Sequence, residues 1–151
     1  MILTLILAVA GCAEAGTPAE RATSVSAAPI RTDREPIVKR FPALGDFTEV
    51  HWLAATPGGD SRVPGPTDTT IQAVMVLQPQ TAEAAAGGYE WEPAEEGWDA
   101  ALDAGLREYL PDGASWQTSE QWAEEVRTPQ YHGLVHLDPA SGTVVLSVTD
   151  S

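Results

Sequence analysis

The chain has a single cysteine, Cys12, among its 151 residues, so no disulfide can form within it and its fold must hold without one. It is also short of positive charge: eight Lys and Arg face 22 Asp and Glu, a net of −14. The deficit is uneven. Through Arg40, five bases (Arg21, Arg31, Arg34, Lys39, Arg40) stand against four acids (Glu14, Glu20, Asp33, Glu35), a net of +1. From Phe41 onward, three arginines (Arg62, Arg107, Arg127) and no lysine stand against 18 acids, a net of −15. A domain this acidic repels phosphate, so no nucleic-acid partner is expected. The plain reading of its acidity is solubility, ahead of an acidic recognition surface. The chain lacks the run of roughly 20 apolar residues that a membrane-spanning helix needs. It has no Gly-x-Ser-x-Gly elbow, no phosphate-binding glycine loop, no Asp-x-Asp-x-Asp-Gly calcium loop and no internal repeat, so no cofactor and no catalytic residue is assigned.

What is present begins at the N-terminus. Residues 1–11, MILTLILAVAG, carry no charge, and their length fits the apolar region of a secretory signal ahead of small residues at a cleavage site. The small residues lead straight into the cysteine, and Val9-Ala10-Gly11-Cys12 resembles the lipobox of bacterial lipoproteins. That resemblance implies a diacylglyceryl group on the Cys12 thiol, removal of residues 1–11 as a signal peptide, and an acylated (palmitate-type) N-terminus. The protein would then sit on the outer, extracytoplasmic face of the cell membrane. Two or more acyl chains, at about 0.8 kcal/mol per buried CH₂, hold a protein stably where one does not. Met1-Ile2-Leu3 lacks the basic residues that usually open such a signal, which places the expected start codon upstream. The competing reading makes Cys12 a small buried hydrophobe in an N-terminal strand or helix.

From Ala13 to Arg40 the chain is rich in Ala, Ser, Thr and Pro and has no aromatic residue. Such a stretch buries too little to offset its ordering entropy, so residues 12–40 read as the lipidated cysteine and a disordered tether. As a flexible coil it would span roughly 30 Å. All five Trp, all three Tyr and both Phe fall between Phe41 and Tyr131, confining the core to one globular domain over 41–151.

Within that domain, alternation predicts a strand over Phe47–Leu53, then a long loop over 55–68, then a buried strand over Thr70–Leu77 rich in β-branched residues. A short helix is expected over Gln80–Ala86, stopped by Gly87-Gly88, and an ambiguous turn or strand around Trp91. Trp98, Leu102, Leu106 and Tyr109 recur at helical spacing, predicting a helix over Trp98–Leu110 with Asp103 and Arg107 paired on its outer side. Thr118 and Gln121 fit a capping box for a second helix burying Trp122 and Val126. Tyr131–Leu137 and Thr143–Val148, around Asp138-Pro-Ala-Ser-Gly142, read as a hairpin with Gly142 in a left-handed conformation. The sum is an α+β domain: a mostly antiparallel four-stranded sheet with two to three helices packed on one face.

Residues that could carry chemistry are few. His132 and His136 have the i, i+4 spacing that shares a zinc on a helix, but on a strand they stand roughly 13 Å apart and cannot chelate together, so no metal is expected. His51 reads as packed or solvated, and Ser61 as a turn-former. Glu90, Glu92, Glu95 and Glu96 offer carboxylates for acid–base work, although with 18 acids in the domain a solvated acidic face is the plainer explanation. The 55–68 loop is longer than most and holds Arg62 between Asp60 and Asp68, with a stiff Pro64-Gly-Pro66 core. It reads as a rigid crossover or as a presented contact. This loop, the following strand and the closing hairpin are similar to small secreted proteins of high-GC Gram-positive bacteria, a resemblance that implies an address and no catalytic residue. The sequence therefore points to a membrane-anchored binding or interaction module whose candidate surface is Arg62, Pro64, Pro66, Tyr89 and Trp91. Its partner would be a protein or a cell-envelope ligand. The alternative is a small cell-envelope hydrolase using carboxylates near Glu90 to Glu96.

Overall fold

The computed structural model describes residues 28–56 and 68–150. Cys12 and the loop residues Arg62, Pro64 and Pro66 lie outside them.

The fold is α+β, as its alternating and helical patterns imply, but the antiparallel sheet has six strands where the sequence suggests four. In chain order the elements are α1 (Glu35–Arg40), β1 (Phe47–Ala55), β2 (Thr70–Leu77), α2 (Pro79–Gly88), β3 (Glu92–Pro93), α3 (Ala104–Arg107), β4 (Gln117–Thr118), α4 (Glu120–Arg127), β5 (Tyr131–Asp138) and β6 (Thr143–Asp150). Single 3₁₀ turns occupy Pro42–Leu44 and Trp98–Ala101. The strand order is β1-β2-β6-β5-β4-β3. The two extra strands are only two residues long, too short for any periodicity to register, and they hang on β5 through Gln117 opposite Leu137.

Strand alternation divides the sheet into two apolar faces, because successive side chains point to opposite sides. On the first face, Val50, Trp52, Ile71, Ala73, Met75, Val135, Leu137, Val144 and Leu146 pack with Ile37, Ala82, Trp122 and Val126 from α1, α2 and α4, and with Phe41 and Leu44 just after α1. On the second, Leu53, Val74 and Val145 meet Leu102 and Leu106, with Ile30, Trp98, Leu110 and Trp116 around them. Helical segments thus cover both faces, which corrects the one-sided packing expected from sequence.

The ordered domain also begins earlier than Phe41. Arg31 exchanges backbone hydrogen bonds with Trp52 at 2.7 and 2.9 Å, and the Trp52 indole N–H donates to Asp33 O at 2.9 Å. In α1, Ile37 is completely buried. Residues 28–40 therefore belong to the domain and not to a tether: Ile37 in the first core, Ile30 against the second and a strand edge to pair with anchor an otherwise weak stretch.

The expected helix over Trp98–Leu110 is broken. A 3₁₀ turn ends at Ala101, Leu102 is extended (φ −70°, ψ 135°), and α3 restarts with Asp103 as its N-cap, its carboxylate accepting from the Gly105 N–H. Gln72 fixes the break from below: its amide donates to Ala101 O and its Oε1 accepts from the Asp103 N–H, both at 2.8 Å. Arg107 consequently does not pair with Asp103 and instead donates to the carbonyls of Leu102, Asp99 and Ala100. Leu102 and Leu106 are buried as their spacing implies. Two smaller differences follow the same logic of local bonding. α2 runs through Gly87 and Gly88. α4 has Ser119 as N-cap with no side-chain cap, because Thr118 lies in β4.

Glycine is required at Gly133. Its φ is +140°, and a Cβ there would lie 2.1 Å from Ser147 O and 2.8 Å from Val148 Cα, so β5 approaches β6 more closely than any side chain allows.

Candidate functional site

Two ends of the sheet can be told apart. β1 ends at Ala55 beside the start of β2, and β5 starts where β6 ends, Tyr131 facing Asp150. The N-terminal segment joins at this end, since Arg31 runs antiparallel to β1 at Trp52. The opposite end carries the start of β1, the β2–α2 junction and the 139–142 turn.

At that opposite end a groove of about 440 Å³ opens between α2 and the turn, walled by Val76, Pro79, Ala82, Ala86, Pro139 and Ala140. Its walls are held firmly. Leu77 N–H donates to Gly142 O at 2.9 Å, and Gln78 N–H to Asp46 O at 2.9 Å. Gly142 has a φ of +70°, as the turn chemistry implies, and a Cβ there would press on the Ala82 methyl at 3.2 Å. Beneath the turn, the Asp138 carboxylate is only 2% exposed. It accepts from Ser141 Oγ at 2.6 Å, from Ser141 N–H at 3.3 Å and from Ser115 N–H at 3.2 Å. Ser141 Oγ also lies 2.8 Å from Thr143 Oγ1. A buried charge satisfied by several donors makes the turn a fixed wall rather than a loose loop. The groove's remaining polar groups are Thr48, whose hydroxyl is given to Val76 O, and Glu83, the only charged residue in the lining. An apolar cleft with one carboxylate suits a neutral or cationic group and disfavours an anion.

The residues the sequence singles out sit elsewhere. Tyr89 is half-buried and its hydroxyl donates to Glu125 Oε2 at 2.6 Å. That hydrogen bond, then burial and the Glu125 charge, raise the phenol above its ordinary value of 10.0. Trp91 is no free anchor: its ring packs 5.2 Å from Trp122 and its N–H donates to Ala85 O. Trp98 packs in the second core, 5.2 Å from Trp116. Of the four candidate carboxylates, Glu90 and Glu92 line a concavity of about 320 Å³ with Glu120, Thr118 and Ser119; Glu95 and Glu96 are not in its lining.

The histidines are on a strand, as read. His132 is exposed and His136 is buried. His51 stacks on Tyr109 (3.6 Å between ring centres, 8° between planes) and its Nε2 lies 2.6 Å from Glu49 Oε1. Among the described residues, no cluster of three or more His, Cys, Asp or Glu is placed to hold a metal ion, and no helix is long and apolar enough to cross a membrane. No protein-family model, curated protein or solved structure matches this chain.

Proposed function

We propose that the chain is a lipid-anchored, extracytoplasmic binding module on the outer face of the cell membrane. The groove between α2 and the 139–142 turn would take an apolar group carried beside a positive charge on a protein or cell-envelope ligand. The reading rests on where the groove stands relative to the anchor that the Val9-Ala10-Gly11-Cys12 pattern implies. Ala28 enters beside the Ala55 end of β1 and the groove lies past the Phe47 end, a strand length of roughly 26 Å away for eight residues. Fifteen residues separate Cys12 from Ala28, a reach of at most about 50 Å. A linker of that reach can hold the groove clear of the membrane, open to a partner. The domain's negative charge favours a cationic one.

The test is photo-crosslinking in intact cells. A photoreactive residue at Ala86 or Ala140 should give discrete adducts that disappear with Glu83→Lys. The same group at Gln130, at the tether end, should give none. Adducts from Gln130 alone would overturn the assignment of the groove.

A second reading has one observation in its favour, the concavity lined by Glu90, Glu92 and Glu120. It makes the chain a small cell-envelope hydrolase with paired carboxylates as acid and base. Release of soluble fragments from isolated cell walls, lost with Glu92→Gln, supports it; no release by the unaltered protein removes it.

A further inference from the structure

The second face of the sheet holds a buried histidine that nothing else in the molecule explains. His136 is 4% exposed, and neither ring nitrogen has a hydrogen-bond partner among the described residues. It points from β5 opposite Val145, and the Trp98 indole lies across it, 4.5 Å between ring centres at 74°. Trp98 belongs to residues 98–110, which cover this face with only a 3₁₀ turn and the four-residue α3. Their polar link to the strands beneath is the Gln72 side chain, bonded to Ala101 and Asp103. A cover of short elements docked largely by side-chain packing is the kind of unit that opens below the threshold for global unfolding.

We propose that residues 98–110 form an acid-released cover: a proton taken up by His136 when the cover opens holds it open and uncovers the apolar face of Leu53, Val74 and Val145.

A buried imidazolium with no acceptor is costly, whereas the same ring in water accepts a proton readily. Burial, the larger cause, accordingly pushes His136 below the ordinary imidazole value of 6.5, and the adjacent Val135 backbone acts the other way. None of the neighbouring charges bonds to the ring. On β5, the Asp138 carboxylate is taken by Ser115 and Ser141. β6 and β2 present the uncharged Val145 and Val74. On the cover, Asp103 caps Gly105 and Arg107 holds backbone carbonyls, while Asp99 and Glu108, and Asp112 just beyond it, have no bond to the ring. His51 lies on the same face, stacked on Tyr109 of the cover, with its Nε2 2.6 Å from Glu49 Oε1. Because the closed-state value is depressed, the closed cover is fully stable above pH 6.5 and loses stability as pH falls from there toward that value. In that window the opening equilibrium rises by up to about tenfold per pH unit.

The test is amide hydrogen exchange, corrected for intrinsic rates, from pH 8 to 5. Exchange in 98–110 should rise up to about tenfold per unit below pH 6.5, while α1 and α4 stay constant. His136→Leu should abolish the rise and His51→Gln should keep it. A pH-independent cover, or an unchanged rise in His136→Leu, would overturn the proposal. Should His136→Leu fail to fold, NMR titration of His136 in the unaltered protein decides: a value near 6.5 refutes the switch and a clearly lower one supports it.

Discussion

Replacing Gly133 with alanine tests the packing of the two central strands. The new Cβ would sit 2.1 Å from Ser147 O and 2.8 Å from Val148 Cα, and both atoms are backbone of β6. No rotamer can relieve that overlap, so the strands must part. The positive φ of +140° adds backbone strain of roughly 1–3 kcal/mol for a non-glycine residue, and forced overpacking adds roughly 1–3 kcal/mol. We expect a loss of about 2–6 kcal/mol. Urea unfolding followed by tryptophan fluorescence reads it: with a slope of about 2 kcal/mol/M, the midpoint should fall by roughly 2 M. Gly87→Ala is the matched control, because nothing lies within 4 Å of a Cβ there. In the last turn of α2 that change should leave stability unchanged or raise it by up to about 0.5–1 kcal/mol. A loss under about 1 kcal/mol for Gly133→Ala would show that the β5–β6 approach is looser than described.

Asp138→Ala removes the acceptor for three donors in a buried setting; it should cost roughly 3 kcal/mol, against about 1 for Ser141→Ala, both read by the same unfolding assay. It should also weaken groove crosslinking at Ala140 before the domain unfolds. Tyr89 should titrate above 10 in alkaline difference spectra, and Glu125→Gln, which removes the charged acceptor, should bring it back toward 10. Since its folded value is raised, the stabilising contribution of this pair is intact below pH 10 and fades as pH climbs through the folded value.

Much of the sheet is legible in the sequence, and the reason is local. Thr70–Leu77 and the 131–150 hairpin are dense in Val, Leu and Thr, and residues such as Val74, Val144 and Leu146 have little alternative to a buried strand. The 98–110 segment was misleading because helical spacing of Trp98, Leu102 and Leu106 also describes residues that reach down from a broken cover. What breaks it is a side chain 31 residues away, the Gln72 oxygen that takes the Asp103 N–H. The early start of the domain turns on two isolated apolar residues, Ile37 and Ile30, and on the Arg31–Trp52 pairing, amid polar or exposed neighbours. The groove leaves almost no trace in sequence: its walls are small residues, Ala82, Ala86 and Ala140, and its rigidity comes from Asp138, which reads as an ordinary turn residue. Alternation puts His132 and His136 on one face, but which of the two is covered depends on where the 98–110 segment lands.

The claim on which the functional account rests is the anchor at Cys12, and mass spectrometry of the N-terminal peptide from membrane fractions tests it most directly. The account predicts a chain beginning at Cys12 with a diacylglyceryl-modified thiol, and a Cys12→Ser protein that is released from the membrane or left unprocessed. An unmodified Cys12 within an uncleaved chain, or a Cys12→Ser protein still in the membrane fraction at mature size, would contradict it.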